Sequence, residues 1–96
     1  MPTYVSLYKM TPEGAKEIKG LPKRFEDFRK GVESAGGRLI GAYALMGAYD
    51  YLAIMEVPDD AAALTVALKA SQKGTTGTQT MRAIAMDEFV KIVQKL

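Results

Sequence analysis

Apolar and polar residues alternate from Thr3 to Met10, with Val5 and Leu7 pointing one way and Tyr4, Ser6 and Tyr8 the other, and this predicts a first strand. The period then changes. Thr11-Pro12-Glu13 reads as a helix start, with a hydroxyl to cap it and a proline that suits the first turn. Ile18, Leu21, Phe25, Phe28, Val32 and Ala35 follow at spacings of three and four, which places them on one helical face. Pro22 interrupts that run and predicts a break near Gly20-Leu21, while Gly36-Gly37 predicts the stop. Arg38–Leu45 and Tyr49–Glu56 read as the second and third strands, joined by a hairpin over Met46-Gly47-Ala48. Pro58-Asp59-Asp60 opens a second helix, with Asp59 as its cap and Ala62, Ala63, Val66, Ala67 and Ala70 inside it. Gly74–Gly77 reads as a small polar loop, Thr78–Ala85 as a fourth strand and Asp87–Lys95 as a short terminal helix.

The order βαββαβ plus a C-terminal helix predicts an α+β protein: a ferredoxin-like plait with a four-stranded antiparallel sheet, one domain over residues 1–96. In that plait both crossover helices cover the same sheet face. If Val5, Leu7, Leu52 and Ile54 point to the helices, the open face carries Tyr4, Ser6, Tyr8, Tyr49, Tyr51, Ala53 and Met55. An aromatic and methionine surface of that kind marks an interface or a groove. Two such sheets packed face to face, as a dimeric α/β barrel, would cover it. The faces of the second and fourth strands are mixed and do not assign themselves.

Composition narrows the chemistry. The chain has no cysteine and no histidine, which excludes disulfides, thiolate nucleophiles, imidazole bases and nitrogen/sulfur zinc sites within it. Neither a metal nor a cofactor is expected. Thirteen basic against eleven acidic side chains give a net charge of +2, without the clustered basic stripe of a nucleic-acid or anionic-membrane binder. The start Met1-Pro2-Thr3-Tyr4-Val5 runs directly into strand pattern, with no signal-peptide segment and no apolar run of membrane-spanning length. A cytoplasmic location is the expectation.

Candidate sites each have a plain alternative. Gly47-Ala48-Tyr49-Asp50 closes the hairpin. In the structural reading Gly47 supplies the turn, Tyr49 packs and Asp50 caps. In the functional reading Tyr49 and Asp50 are catalytic candidates, a buried carboxylate beside tyrosines being a potential base. The turn reading is the more economical. Tyr4, Tyr8, Tyr49, Tyr51 and Arg82 are the ligand-binding candidates; Arg82 clamps an anion if it faces inward and is an ordinary solvated charge if it faces out. Lys73-Gly74-Thr75-Thr76-Gly77-Thr78 lacks P-loop spacing and reads as a loop. Asp59-Asp60 and Glu26-Asp27 are explained by capping and solvation, and the basic residues of the first helix, Arg24 among them, by a solvated face.

Met1-Pro2-Thr3-Tyr4-Val5, Thr11-Pro12-Glu13-Gly14, Pro22-Lys23-Arg24, Gly47-Ala48-Tyr49-Asp50, Pro58-Asp59-Asp60 and Thr78-Gln79-Thr80 together resemble the GYD-domain family over essentially the whole chain. The resemblance implies a ferredoxin-like fold related to dimeric α/β barrels and a bacterial or archaeal source. It brings no established activity. Three functions then compete. The first is a homo-oligomeric small-molecule-binding protein, in its enzymatic form a cofactor-free isomerase or monooxygenase by analogy with related barrels. The second is a non-enzymatic assembly or regulatory module. The third, an RNA-binding module of like topology, lacks the basic-aromatic signature of that class, and no nucleic-acid partner is expected.

Overall fold

Capping chemistry sets the element boundaries. The computed structural model describes all 96 residues. Strand β1 (Thr3–Met10) gives way at once to helix α1 (Pro12–Lys16), because Thr11 Oγ1 accepts the Gly14 N–H at 3.0 Å. A 3₁₀ turn (Ile18–Gly20) follows, and α2 (Leu21–Ser34) starts with Pro22 in its first turn. The expected break at Gly20-Leu21 is therefore present: a ring without an N–H cannot extend the preceding helix but can begin a new one. Gly36, at φ 87°, ends α2 in the left-handed region, and the Gly36 and Gly37 N–H groups return to the carbonyls of Glu33 and Val32. β2 (Arg38–Ala44) and β3 (Tyr51–Glu56) follow, then α3 (Asp60–Gln72), capped by Asp59, whose Oδ1 accepts the Ala62 N–H at 2.9 Å. β4 (Thr76–Ala83) and α4 (Met86–Gln94) complete the chain. β4 begins ahead of the expected Thr78 because Thr76 and Gly77 pair with Met10 and Lys9.

The strands form one antiparallel sheet in the order β2-β3-β1-β4, the ferredoxin-like arrangement. A register shift between Leu39 and Gly41 leaves Ile40 as a bulge on the edge strand β2. The α2 and α3 helices cover one face, and no helix is long and apolar enough to cross a membrane.

The two faces are the reverse of the expectation. Tyr4, Ser6, Tyr8, Ala53 and Met55 are buried beneath the helices, while Val5, Leu7, Leu52 and Ile54 lie on the uncovered side and are only partly buried. Alternation separates two sets of side chains but does not say which set meets the helices. Side-chain partners on that side accompany the choice. The Tyr4 hydroxyl donates to the Asp60 carboxylate of α3, Ser6 Oγ lies 2.9 Å from Thr80 Oγ1 of β4, and the Tyr8 ring meets Phe28 of α2 edge-on at 5.8 Å. Aliphatic side chains need no such partners and can be left for a second apolar surface.

The core proper is small: Tyr4, Val32, Met55, Val57, Ala63 and Val66, with Phe28, Ala35, Leu39 and Ala62 against it. Met55, Val32 and Val57 are at most 1% exposed. By contrast α4 buries none of its residues, and Met86, Phe89, Val90 and Val93 form an exposed stripe at helical spacing. The radius of gyration, 14.6 Å, exceeds the ~12.5 Å of a compact chain this long, because α4 projects from the body.

Candidate functional site

A cavity of about 390 Å³ lies between the sheet and the two crossover helices. Its apolar wall comes from α2 (Leu21, Phe25, Phe28), α3 (Val66) and the sheet (Tyr8, Tyr51). The space exists because small residues face the aromatics: Gly31 on α2, Ala42 and Ala44 on β2, Ala53 on β3 and Ala70 on α3. No side chain there is long enough to close the gap. The volume falls within the range of small-molecule pockets.

Charge is confined to the α2 and α3 residues of the wall and to Lys73, which caps α3. Arg24, Lys69 and Lys73 stand against one carboxylate, Asp27. Asp27 is already engaged, by Lys23 at 3.4 Å and by Lys73 at 3.6 Å, a contact that joins α2 to the end of α3. Burial pushes the Asp27 carboxyl up, yet the two lysines outweigh it and hold the group below the usual carboxylate range. Arg24 donates to the Glu17 carbonyl at 2.8 Å, and Lys69 has no carboxylate partner.

Tyr8 is the unusual member of the wall. It is 6% exposed, and its hydroxyl is a buried side-chain oxygen with no hydrogen-bond partner. Burial raises its pKa, partly offset by the nearby Ser6 hydroxyl, which is itself taken up by Thr80. Tyr51, on the same wall, donates to the Met10 thioether at 3.7 Å.

The ligand-binding candidates therefore do not form one site. Tyr8 and Tyr51 meet in the cavity. Tyr4 and Arg82 lie together elsewhere on the helix side, paired across β1 and β4, in a second recess with Asp60 and Thr80. The Tyr4 phenol is pushed up, first by its hydrogen bond to Asp60 and then by burial. Arg82 is exposed and in no ion pair. Tyr49 belongs to the turn before β3, and its hydroxyl donates to Gln79 Oε1 at 2.8 Å. Asp50 braces that turn: Oδ2 accepts the Met10 N–H at 2.7 Å, its own N–H donates to the Tyr8 carbonyl and its carbonyl accepts from Leu45. Gly47, at φ 129°, supplies the conformation that lets the turn close.

Residues the sequence reading passed over complete the cavity. Phe25 and Phe28 fit a helical apolar face, Arg24 and Lys73 a solvated surface or loop, and Lys69 stands in no motif. The usable signal was the run of glycine and alanine at positions that face those aromatics, which predicts space rather than packing.

A four-stranded antiparallel plait with one helix-covered face defines a ferredoxin-like α+β domain. The crystal structure of TTHA0845 from Thermus thermophilus has the same fold, with a TM-score of 0.55 at 16% identity, covering 88% of this chain and 95% of that one. The GYD domain model matches residues 4–93, and the chain belongs to the GYD domain family. A relative from Thermus thermophilus, the glutamine synthetase and cystathionine beta-lyase binding protein, is 29% identical over 91 residues, which span 94% of this chain and 96% of that protein.

Proposed function

We propose that the protein is a homo-oligomeric, cytoplasmic binding protein that works through surfaces: two copies pair through their uncovered sheet faces, and the pair binds and regulates a partner protein. The observation that carries this reading is the composition of that face. Val5, Leu7, Leu52 and Ile54 fill its centre, with Tyr43 60% and Met81 39% exposed beside them. Lys9 at one end of β1, and the Arg38–Glu56 pair, joined at 2.8 Å at the far end of β2 and β3, lie at its margin. An apolar centre with a polar rim is the anatomy of a protein interface. The apolar stripe of α4 gives each copy a further surface for its twin or for the partner. The Thermus thermophilus relative bears a name that describes binding of two enzymes, which supports a protein partner for this chain.

Oxidative footprinting tests the pairing. Met81 is expected to be protected from peroxide at micromolar protein and to become reactive on dilution, with fully exposed Met46 as the internal reference. Met81 reacting as fast as Met46 at every concentration would remove the sheet-face dimer.

The cavity supports a second reading, small-molecule binding, because a pocket with an unpartnered buried hydroxyl is more than a packing defect. Its enzymatic form, with Tyr49 and Asp50 moving a proton in an isomerase or monooxygenase reaction, draws less support, since Asp50 is held by the turn. An Asp50→Asn protein that keeps both its assembly and its ligand affinities favours the non-enzymatic module.

A further inference from the structure

We infer that the cavity between the sheet and the helices takes an amphipathic organic acid: an apolar ring system or chain, an anionic head and a polar atom at the Tyr8 end. The inference rests on the cavity being a ligand site and goes on to name the ligand class.

The charge on the wall gives the sign of the head group. Three cations face one carboxylate, and that carboxylate is already held by Lys23 and Lys73. Lys69, exposed at the cavity rim, has no acidic partner, which sets a free cation where the head group of a bound anion would lie. An incoming cation would meet Lys69, Arg24 and Lys73 and would have to compete for Asp27. The wall between gives the body. Leu21, Phe25, Phe28 and Val66 offer apolar contacts and no donors, while Gly31, Ala53 and Ala70 leave room for a flat or linear group.

Tyr8 gives the third feature. Its hydroxyl is buried and unpartnered, and a group in that state costs free energy unless something meets it. The neighbouring polar side chains are shared with other groups: the Ser6 hydroxyl meets Thr80, and Tyr51 donates to Met10. The oxygen is closed off from the open space, so a hydroxyl or carbonyl on the ligand body supplies the absent partner only where the wall yields at Tyr8. The cavity opens on the helix side of the sheet, and of its lining only Tyr43 and Leu52 belong also to the face proposed to pair.

Isothermal titration of the full chain with four related probes tests it: 6-hydroxy-2-naphthoate, 2-naphthoate, 6-hydroxy-2-naphthamide and 2-naphthamide. The acid that carries the hydroxyl is expected to bind most tightly. Loss of either polar feature is expected to weaken binding about three- to tenfold, the worth of one hydrogen bond or exposed charge contact. Tyr8→Phe should erase the advantage of the ring hydroxyl and leave that of the carboxylate, and Lys69→Gln should do the reverse. Circular dichroism confirms that both variants fold. If the amides bind as tightly as the acids, the cavity is a ligand site but the assignment to an anion is wrong. If none of the four shows binding, or if binding survives Ala70→Trp, which fills the cavity, the ligand-site reading itself is overturned.

Discussion

The two faces of the sheet are built from the same strands and differ in what they require. Toward the helices β1 presents Tyr4, Ser6 and Tyr8, all buried, and β3 presents Ala53 and Met55. Toward the open side the same strands present Val5, Leu7, Leu52 and Ile54, none of them fully buried. The covered face contains the aromatic and the more polar side chains. Hydroxyls seek partners, and on the helix side Tyr4 finds Asp60 and Ser6 finds Thr80, although the Tyr8 hydroxyl is buried without one. The aliphatic face has no such requirement. It suits a second sheet, where the only demand is that water leave. Hydrophobicity alone therefore does not choose the inside of a two-layer domain; partners for Tyr4 and Ser6 favour the helix side, and Tyr8 is where that match is incomplete.

Neighbouring residues on β3 separate the faces most sharply. Met55 is 1% exposed and sits in the core. Met55→Ala is expected to lower the free energy of unfolding by about 2–5 kcal/mol through lost contacts and a cavity, as measured by urea denaturation. Ile54 points the other way. Ile54→Lys should leave the fold of the single chain intact, as circular dichroism reads it, and weaken self-association by about 2–4 kcal/mol, the range of an interface hot spot. The unfolding midpoint of that variant should no longer depend on protein concentration. Equal loss of secondary structure in both variants would erase the distinction between the faces.

Much of the fold was legible beforehand. Thr11, Pro22, Gly36 and Asp59 act through local chemistry, so their effects at the helix ends could be read from the chain itself. Strand order follows from the sequence of elements. The orientation of the sheet was not legible, because it depends on which partners arrive from α2 and α3, and alternation is blind to that. The candidate site was half legible: Tyr8 and Tyr51 meet in the cavity, whereas Tyr4 and Arg82 go to another recess and Tyr49 to a turn. A cavity is an absence of side chains, and it becomes visible only once Gly31 and the alanines are seen to face Phe25 and Phe28.

Smaller effects sharpen the same contrast. Asp50→Ala removes a charged acceptor from the Met10 N–H, and should cost roughly 1.5–3 kcal/mol of stability in a denaturant titration. Tyr8→Phe is expected to act in the opposite direction, raising stability by about 1 kcal/mol because an unpartnered buried hydroxyl is lost. Alkaline pH probes the covered face. Tyr4 and Tyr8 both bind their protons more tightly in the folded chain than in the unfolded one. Their contribution to stability is complete below the ordinary tyrosine value of about 10 and is lost as the pH rises through the higher folded values. Thermal melts should therefore fall above that pH, and Tyr8→Phe should flatten the decline.

Sedimentation equilibrium of the unaltered protein tests the central claim, that the aliphatic face is covered by a second copy. A particle of two 10.4 kDa chains at micromolar concentration, reduced to one by Ile54→Lys, is the predicted result. A single 10.4 kDa species across the whole concentration range would contradict it.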